Sequence, residues 1–430
     1  MARVRPERRT PLDLAITAVV IVVLVTACAI AWAVSPVRHT DSAQAGSAPA
    51  AVQPAQTVPA TFVPRWQATS DATTVPAIGE SVVVTGDGGA VVGHDPATGR
   101  ALWSYRRDLD LCTVGTAWTA SSDVALAVYR NSRGCSEVTA LDAATGARTG
   151  ARTSDADPEL TLGTDSGYVV AQGPRRLETW GSNLVRGIEY GRVEAPVRPE
   201  DAPDRNDCAL FSSAVSGDRL AVVERCADDP GYRLTVMGSV LDKDDEVEKY
   251  GSSLITGDVS GPPPVVIAMS SSGIAVYDGG ASPAEPPTLG AESGPAIRRF
   301  DTDGVAAGTN TVAGNATPPP GSVPIAADGI VTYWTGRATV VLNGQTLNPI
   351  YQVPGTLGPG QVMAGQLLLP SASGISVRDV ATGREVRSIP LARSAEPDEG
   401  GTAAPVVSLR VIGDIVVEQR GNRIEAFGPG

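Results

Sequence analysis

Short apolar runs separated by polar turns follow one another along almost the whole chain after residue 62. One unit recurs there: an apolar strand, a turn, and a second apolar strand that ends in Asp or Gly. Runs of this length between turn residues are typical of antiparallel hairpins. Eight such pairs are present, and their first strands begin at Ser81, Asp123, Gly167, Arg219, Val265, Gly329, Gln366 and Asp414. The pattern predicts an all-β fold.

The spacing of the pairs indicates a β-propeller. Copies recur every 35 to 65 residues, which suits four-stranded blades with insertions better than the shorter, stricter repeat of a solenoid. Three pairs end in nearly identical turns, where Gly99, Gly146 and Gly383 supply the positive φ that a tight turn needs. We therefore expect eight blades over residues 62–430. Seven blades are the alternative, if the Gly/Pro-rich stretch 291–327 conceals an irregularity.

The two ends of the repeat region predict how the ring closes. The segment FVPRWQA at Phe62 resembles ALWSYRR, the strand that follows the first pair, but it has no blade of its own. The eighth pair lacks a following strand. We therefore expect the N-terminal strand to complete the last blade, which leaves no open edge between the first and last blades.

An apolar run of 21 residues without a charge, 14–34, precedes the propeller. At about 1.5 Å per residue it spans a hydrocarbon core of about 30 Å, and it exceeds the apolar core of a cleaved signal peptide. Four arginines precede it, at positions 3, 5, 8 and 9. The positive-inside tendency then predicts a cytoplasmic basic tail, 1–13, a single transmembrane helix, and a propeller on the outer side of the inner membrane.

Cys28 leaves a second interpretation of this segment open. The sequence Val25-Thr26-Ala27-Cys28 resembles a bacterial lipobox, in which Cys28 would be acylated and would become the mature N-terminus. Against this, the residues after Cys28 stay apolar for six further positions. Both interpretations leave the same domain outside, on a membrane.

Residues 35–61 are rich in Ala, Pro, Ser and Gln and contain scarcely any large apolar side chain. This composition predicts a disordered tether. Some 25 residues of extended, polyproline-like chain at about 3.1 Å each reach at most about 75 Å from the bilayer.

The other four cysteines all lie in the part that is assigned to the outside. An even number in an oxidising compartment favours disulfides. Cys208 and Cys226 are symmetric about the turn at 216–218, and Cys112 and Cys135 are nearly symmetric about residues 122–123 of another blade. The repeat therefore predicts two bridges, Cys112 with Cys135 and Cys208 with Cys226.

Charge and residue content argue against several functions. The formal net charge is −13, and since residues 1–13 carry +2, the remainder of the chain carries −15. A domain this acidic is repelled by phosphates, so we expect no nucleic-acid binding and no adhesion to anionic headgroups. His39 and His94 are the two histidines, too few for a histidine zinc site or a Ser-His-Asp triad. Nucleophile-elbow, phosphate-loop and dinucleotide motifs are absent from the sequence. We expect a binding or scaffolding protein without catalytic residues, metal or cofactor, and not an enzyme.

Trp66 and Trp103 recur at one repeat position, which is typical of blade packing. Trp118 and Trp180 break the repeat, so they are candidates for exposed side chains that stack on a sugar or contact an acyl chain. Arginine doublets are candidate clamps for an anionic or sugar ligand: Arg175, Arg176, Arg298 and Arg299.

The motif D-x-x-T-G-x-x-x-W, complete once as DPATGRALW at 95–103, resembles the repeat of pyrroloquinoline-quinone (PQQ)-type propellers. The resemblance implies a PQQ-like propeller fold over residues 62–430. Quinoprotein enzymes of that group place a vicinal disulfide beside the cofactor, and this chain has no adjacent cysteines. A quinoprotein-like enzyme therefore stays a minor alternative.

A closer resemblance is to the membrane-anchored propellers of mycolic-acid-making actinobacteria that are called polar growth factor A. The resembling features are the basic N-terminus, one helix, the Ala/Pro tether, and the segments GHDPATGRALWSYRRDLDLC and AVYRNSRGCSEVTALDAATG. The resemblance implies a periplasmic partner of the RND-type trehalose monomycolate exporter that binds this glycolipid and supports polar growth of the envelope. A scaffold that binds only proteins is the second reading.

Overall fold

The structure, a computed structural model, describes residues 10–33, 35–193, 205–256, 259, 261–280, 295–315, 317–319, 321–393 and 406–430. One long helix, α1 (Pro11–Ala33), is followed by the short 3₁₀ turn η1 (Pro36–His39), and the rest is β-structure.

A capping box marks the N-terminus of helix α1. Thr10 Oγ1 accepts the backbone N–H of Asp13 at 3.3 Å, and the Asp13 carboxylate accepts the backbone N–H of Thr10 at 2.8 Å. The helix is exposed throughout, with a mean hydropathy of 2.9, and it is long and apolar enough to cross a membrane. It fits the predicted single-pass anchor. Residues 1–9 of the predicted basic tail lie outside the described residues, so the orientation stays a prediction.

The described residues form eight antiparallel sheets around a ring. Blade 1 contains β3 (Ala77–Ile78), β4 (Val83–Asp87), β5 (Ala90–His94) and β6 (Ala101–Arg107), with β1 (Thr40–Ala43) added at its outer edge. Blade 2 contains β7 (Leu111–Ala117), β8 (Val124–Asn131), β9 (Gly134–Asp142) and β10 (Arg148–Thr153). Blade 3 contains β11 (Thr161–Thr164), β12 (Val169–Gln172), β13 (Arg176–Trp180) and β14 (Arg186–Gly191). Blade 4 contains β15 (Ala209–Ser216), β16 (Arg219–Arg225), β17 (Tyr232–Gly238) and β18 (Lys249–Thr256).

The second half of the ring is built in the same way. Blade 5 contains β19 (Val265–Ser270), β20 (Gly273–Asp278), β21 (Ala296–Phe300) and β22 (Ala306–Thr311). Blade 6 contains β23 (Ile325–Ala327), β24 (Ile330–Trp334), β25 (Ala338–Asn343) and β26 (Pro349–Pro354). Blade 7 contains β27 (Gln361–Met363), β28 (Gln366–Ser371), β29 (Gly374–Asp379) and β30 (Glu385–Pro390). Blade 8 contains β31 (Val407–Ile412), β32 (Ile415–Arg420), β33 (Arg423–Pro429) and β2 (Phe62–Thr69).

Ring closure follows the prediction. Strand β2 pairs antiparallel with β33, from Phe62 opposite Pro429 to Thr69 opposite Arg423. The first strands lie toward the centre, and β3 of blade 1 contacts β31 of blade 8. The eight-bladed propeller is therefore confirmed, and the seven-bladed alternative is wrong because the Gly/Pro-rich stretch supplies β21, β22 and β23.

One detail of the repeat differs from the prediction. In seven blades the predicted pair forms the second and third strands, whereas in blade 5 the pair that begins at Val265 forms the first and second strands. Blade 5 turns directly from β19 into β20 through Ser271 and Ser272. A short turn after an apolar strand produces the same local pattern at either position, so the phase is not visible in the sequence.

Apolar packing is divided into eight clusters of buried side chains, and each lies between two neighbouring blades. The cluster between blades 8 and 1, for example, joins Val83 to Ile415 and Val417. The core is thus a ring of interfaces. Stability in such a ring depends on each blade's contacts with its two neighbours, as in other repeat folds.

The propeller has two distinct faces, which we name by their connections. On the upper face lie the turns from first to second and from third to fourth strands, and on the lower face lie the hairpins from second to third strands and the connections between blades. Backbone hydrogen bonds within each face agree with this division: Ala143 donates to Asp123 on the upper face, and Arg130 donates to Asp110 on the lower face.

The segment predicted to be a disordered tether differs from that expectation. Residues 40–43 form β1, which pairs with β6 so that Thr40 lies opposite Arg107 and Ala43 opposite Ser104. Residues 44–61, which we call the strap, then cross the upper face. The backbone N–H of Ala45 donates to Thr145, and that of Val52 to Glu80, each at 2.9 Å.

The far end of the strap is fixed against blades 7 and 8. Arg387 donates to the carbonyl oxygens of Val58 at 2.7 Å and Pro59 at 2.9 Å, and the Val58 side chain is buried between these blades. Composition suggested disorder because the strap has few large apolar residues. Its order comes from backbone groups that bond to distant turns.

Both disulfides pair as the repeat predicts, Cys112 with Cys135 and Cys208 with Cys226. Each joins the beginning of a first strand to the hairpin between the second and third strands, so both lie on the lower face. Among the described cysteines, Cys28 is the free one, and it is exposed on α1.

Candidate functional site

The repeat turns carry the tryptophans that were expected to pack the blades. Trp66 of blade 8 donates from Nε1 to the carbonyl of Pro96 in the turn of blade 1, at 2.8 Å. Trp103 of blade 1 makes the same bond to Ala143 of blade 2, also at 2.8 Å. Tyr351 serves this role between blades 6 and 7 through its hydroxyl. These side chains join neighbouring blades.

Trp118, a candidate ligand contact, is buried between blades 2 and 3, with 4% of its surface exposed. It directly follows β7 with a positive φ of 50°, and its Nε1 donates to the carbonyl of Gly167 at 3.0 Å. A residue that breaks the repeat was expected to be exposed. Here it instead closes a turn and packs inward, so no face of the indole is open to a ligand.

Trp180, the second candidate, is 2% exposed and belongs to the same apolar cluster. Its Nε1 donates to Glu178 Oε2 at 2.9 Å, and Arg152 Nη2 donates to the same oxygen at 2.9 Å. Burial alone raises the pKa of Glu178. The charge of Arg152 and the hydrogen bonds from Trp180 and Arg176 outweigh burial and hold this pKa below its ordinary value.

Arg176 belongs to this buried network, whereas its neighbour Arg175 does not. Arg176 Nη2 donates to Glu178 at 2.8 Å and to Glu189 at 2.5 Å, and the residue is 5% exposed. The side chain of Arg175 is half exposed and lies 3.6 Å from Asp207. The doublet is therefore split: Arg176 holds blade 3 together, and Arg175 stays available at the surface of the lower face.

The other doublet is split in the same way. Arg298 donates to Asp278 at 2.7 Å. The Nε of Arg299 is buried and has no hydrogen-bond partner, and its guanidinium lies beside Gly308, where a Cβ would be 2.8 Å from Nη2. Neither doublet forms a two-arginine clamp.

Arg410, on β31, is a candidate anion contact that the sequence analysis missed. Arg205 and Arg393, by contrast, have carboxylate partners, Glu224 and Glu418 respectively. The Nε of Arg410 has no hydrogen-bond partner, and burial lowers its pKa. A buried guanidinium N–H without a partner favours a hydrogen-bond acceptor, and best a charged one. The sequence shows Arg410 only as one charged residue within an apolar strand. It does not show that the Nε of Arg410 lacks a partner.

A pocket lies on the upper face between the strap and blade 8. It is lined by strap residues 52–57 and 59–61, by Gly413 and Asp414 of the turn between β31 and β32, and by residues 429–430. Gly413 permits the contact, because it has a φ of 59° and a Cβ there would be 2.5 Å from Val52. Amide and hydroxyl side chains with one carboxylate suit a neutral polar ligand better than an anion.

His94 and the carboxylates give no sign of a metal site. His94 Nδ1 donates to the carbonyl oxygen of Gly99 at 3.0 Å, and its Nε2 lies 2.9 Å from the Thr85 hydroxyl. Burial lowers the pKa of His94. Within the described part of the chain, no group of three or more His, Cys, Asp or Glu side chains is arranged to hold a metal ion.

Comparisons with known proteins give structural neighbours alone. No protein-family model and no curated protein sequence matches the chain. A structure of the dihydro-heme d1 dehydrogenase NirN in complex with DHE is 12% identical, with a TM-score of 0.47, over 74% of this chain and 65% of the NirN chain.

Two further neighbours are structures that contain Nup159. One belongs to an S. cerevisiae complex of Dbp5 with Nup159, Gle1, IP6 and ADP, at 12% identity, and the other is the N-terminal domain of Nup159, at 11%. Both have a TM-score of 0.45 and align over 89% of this chain and 99% of the neighbour.

The class of the protein follows from its own strand pairing. The chain is an eight-bladed β-propeller with one apolar N-terminal helix. The helix fits a single-pass membrane anchor, and the two disulfides are compatible with a propeller outside the cytoplasm.

Proposed function

We propose that this chain is a membrane-anchored, non-enzymatic binding and scaffold protein that acts outside the cytoplasm in assembly of the cell envelope. The observation that carries the proposal is the short connection between α1 and blade 1, which consists of residues 34–39. It holds a closed propeller beside the membrane. A rigid ring with two faces presents many loops to partners at a fixed place.

We further propose that the ligand is a trehalose monomycolate-type glycolipid and that the partner is an RND-type lipid exporter. This proposal rests on the resemblance to polar growth factor A. Trp118, Trp180 and Arg176 are buried, so the ligand would need other contacts. The strap pocket supplies them: Gln53, Gln56 and Thr57 offer groups that hydrogen-bond to the hydroxyls of a neutral sugar.

Native mass spectrometry and lipid extraction of the full-length protein, purified from its own membranes, test the ligand. We expect a trehalose glycolipid to co-purify. Asp414→Asn in the pocket should reduce the bound lipid several-fold. Asp218→Asn is the matched control, because Asp218 occupies the same exposed turn position in blade 4, away from the strap.

Other outcomes separate the alternatives. A captured membrane protein without lipid would favour a scaffold that binds only proteins, and a quinone chromophore would favour a quinoprotein-like enzyme. A depletion strain with unchanged mycolate export and polar growth would contradict the envelope function.

A further inference from the structure

The way in which the chain leaves its membrane helix determines which side of the propeller faces the bilayer. Strand β1 runs along the outer edge of blade 1, and its first residue, Thr40, lies opposite Arg107, at the lower end of β6. The residue before it is fixed there too. The backbone N–H of Asp108 donates to the carbonyl of His39 at 3.2 Å, and His39 Nδ1 lies 2.9 Å from the Asp108 carboxylate.

The reach of the connection is short. Seven Cα steps separate Ala33 from Thr40, which allow at most about 25 Å even when fully extended. The 3₁₀ turn η1 shortens this reach, and the Arg38 guanidinium lies 4.4 Å from the ring of Trp32 at the end of α1. The predicted tether would have reached three times as far. If Cys28 were the acylated N-terminus, twelve steps would allow about 40 Å.

The charges at this edge do not oppose contact with headgroups. The chain as a whole has a net charge of −13, which repels an anionic surface. The exposed charges beside the connection, on the lower edge of blade 1 and the hairpin between the second and third strands of blade 2, instead nearly balance, four positive against five negative. They are Arg38, Arg106, Arg130, Arg133, Asp41, Asp71, Asp87, Asp108 and Asp110.

We infer that the lower face of the propeller, at blades 1 and 2, lies against the headgroup surface of the membrane that holds α1. The upper face, with the strap and its pocket, points away from that membrane. The inference rests on α1 as the anchor, which is part of the proposed function, and it does not depend on the ligand. A partner that is anchored in the same membrane must therefore extend past the propeller to reach the upper face.

Fluorescence quenching by lipid headgroups tests this orientation in the full chain. The protein carries Cys28→Ser, which removes the acylation route, and one labelled position, either Asp87→Cys or Ala97→Cys. Both positions are exposed on blade 1, and they lie at the lower and upper ends of the hairpin strand β5, about 20 Å apart. Vesicles of phosphatidylcholine and phosphatidylglycerol contain a lipid with a nitroxide on its headgroup.

We expect at least twice as much quenching at position 87 as at position 97. A second variant inserts 20 Gly/Ser residues after Ser35, which adds an average reach of about 25 Å and should bring the quenching at position 87 down to that at position 97. Equal quenching at both positions of the original chain, stronger quenching at 97, or no effect of the insertion would overturn the orientation.

Loss of the protein from the vesicles in a carbonate wash would overturn the anchor as well as the orientation. It would leave the glycolipid measurement on extracted protein unaffected. A failure of glycolipid binding would in turn leave the quenching result standing. The two proposals therefore fail separately.

Discussion

Two glycines of blade 1 offer a direct measurement of how much ring closure contributes to stability. Gly99 has a φ of 71°, and a Cβ there would be 2.4 Å from Trp66 Cγ on the closing strand β2. Gly88 has a φ of 57° and nothing within 4 Å of its Cβ position. An alanine side chain would strain the backbone equally at both positions, but the one at position 99 would also contact the closing strand β2.

Alanine at either position costs about 1–2 kcal/mol for a left-handed backbone conformation. Gly99→Ala additionally pushes Trp66 away from the turn. The displaced indole loses its 2.8 Å hydrogen bond to Pro96, about 1 kcal/mol, and overpacking adds about 1–3 kcal/mol. We therefore expect Gly99→Ala to lower the free energy of unfolding by about 2–4 kcal/mol more than Gly88→Ala.

The assay is guanidinium unfolding of the full-length protein in detergent, followed by far-ultraviolet circular dichroism. The same pair of substitutions is repeated in a Trp66→Gly background, where the alanine at position 99 meets neither the indole nor the Cβ of residue 66, which would lie 2.6 Å away. There the two variants should lose equal stability. Equal losses in the original background, or an excess cost that persists without Trp66, would refute the reasoning.

Three further results are expected. Replacing Cys112 and Cys135 together with alanine should lower the free energy of unfolding by about 3 kcal/mol, because the bridge closes a loop with a sequence separation of 23; no loss on reduction of the wild type would contradict this. The pKa of Glu178 is lower in the folded protein than in the unfolded chain, where it is about 4.3, so its ionised form stabilises the fold above pH 4.3 and this stability is lost as pH falls through the folded pKa. Glu178→Gln should therefore flatten the plot of unfolding free energy against pH below about pH 4.3. An unchanged slope of that plot would argue against this. Val58→Asp should make residues 44–61 of the strap susceptible to limited proteolysis, because Val58 is buried. The control Val386→Asp, at a half-exposed site, should not increase this cleavage. Equal cleavage of the two variants would mean that the Val58 contact does not hold the strap.

Much of the fold could be predicted because the information was local or repeated. An apolar pair recurs in each blade and a Thr-Gly turn follows three of the pairs, so the blade number followed from counting the pairs. The unpaired strand at Phe62 and the missing outer strand of the eighth blade together predicted closure. Symmetric positions about hairpin turns predicted both disulfides, since strands that pair across a turn bring such positions together.

The candidate ligand contacts could not be predicted because they depend on long-range partners. Trp118 breaks the repeat, but the carbonyl of Gly167, in the next blade, accepts its N–H and so permits burial. Arg176 resembles any surface arginine in the sequence. Its burial is permitted by Glu178, two residues further along β13, and by Glu189 on β14. The contact with Glu189 depends on the register between the two strands.

The order of the strap could not be predicted either, because it also depends on groups that are distant in the sequence. Its Pro- and Ala-rich composition is that of a disordered linker, and by apolar content alone it should not fold. Hydrogen bonds to the carbonyl oxygens of Thr145 and Glu80, and from the side chain of Arg387, hold it to three blades nevertheless. Composition reports what a segment can bury by itself and says nothing of the groups that other parts of the chain offer to it.

The pairing of β2 with β33 also governs when the chain can finish folding. Strand β2 is synthesised near the beginning, directly after α1 and the strap, while its partner lies at residues 423–429. Until that partner has been translated, blade 8 has an exposed edge and β2 has no place to pair. A chain interrupted before β33 would keep both edges open, vulnerable to proteases and to aggregation. Closure therefore distinguishes finished molecules from unfinished ones.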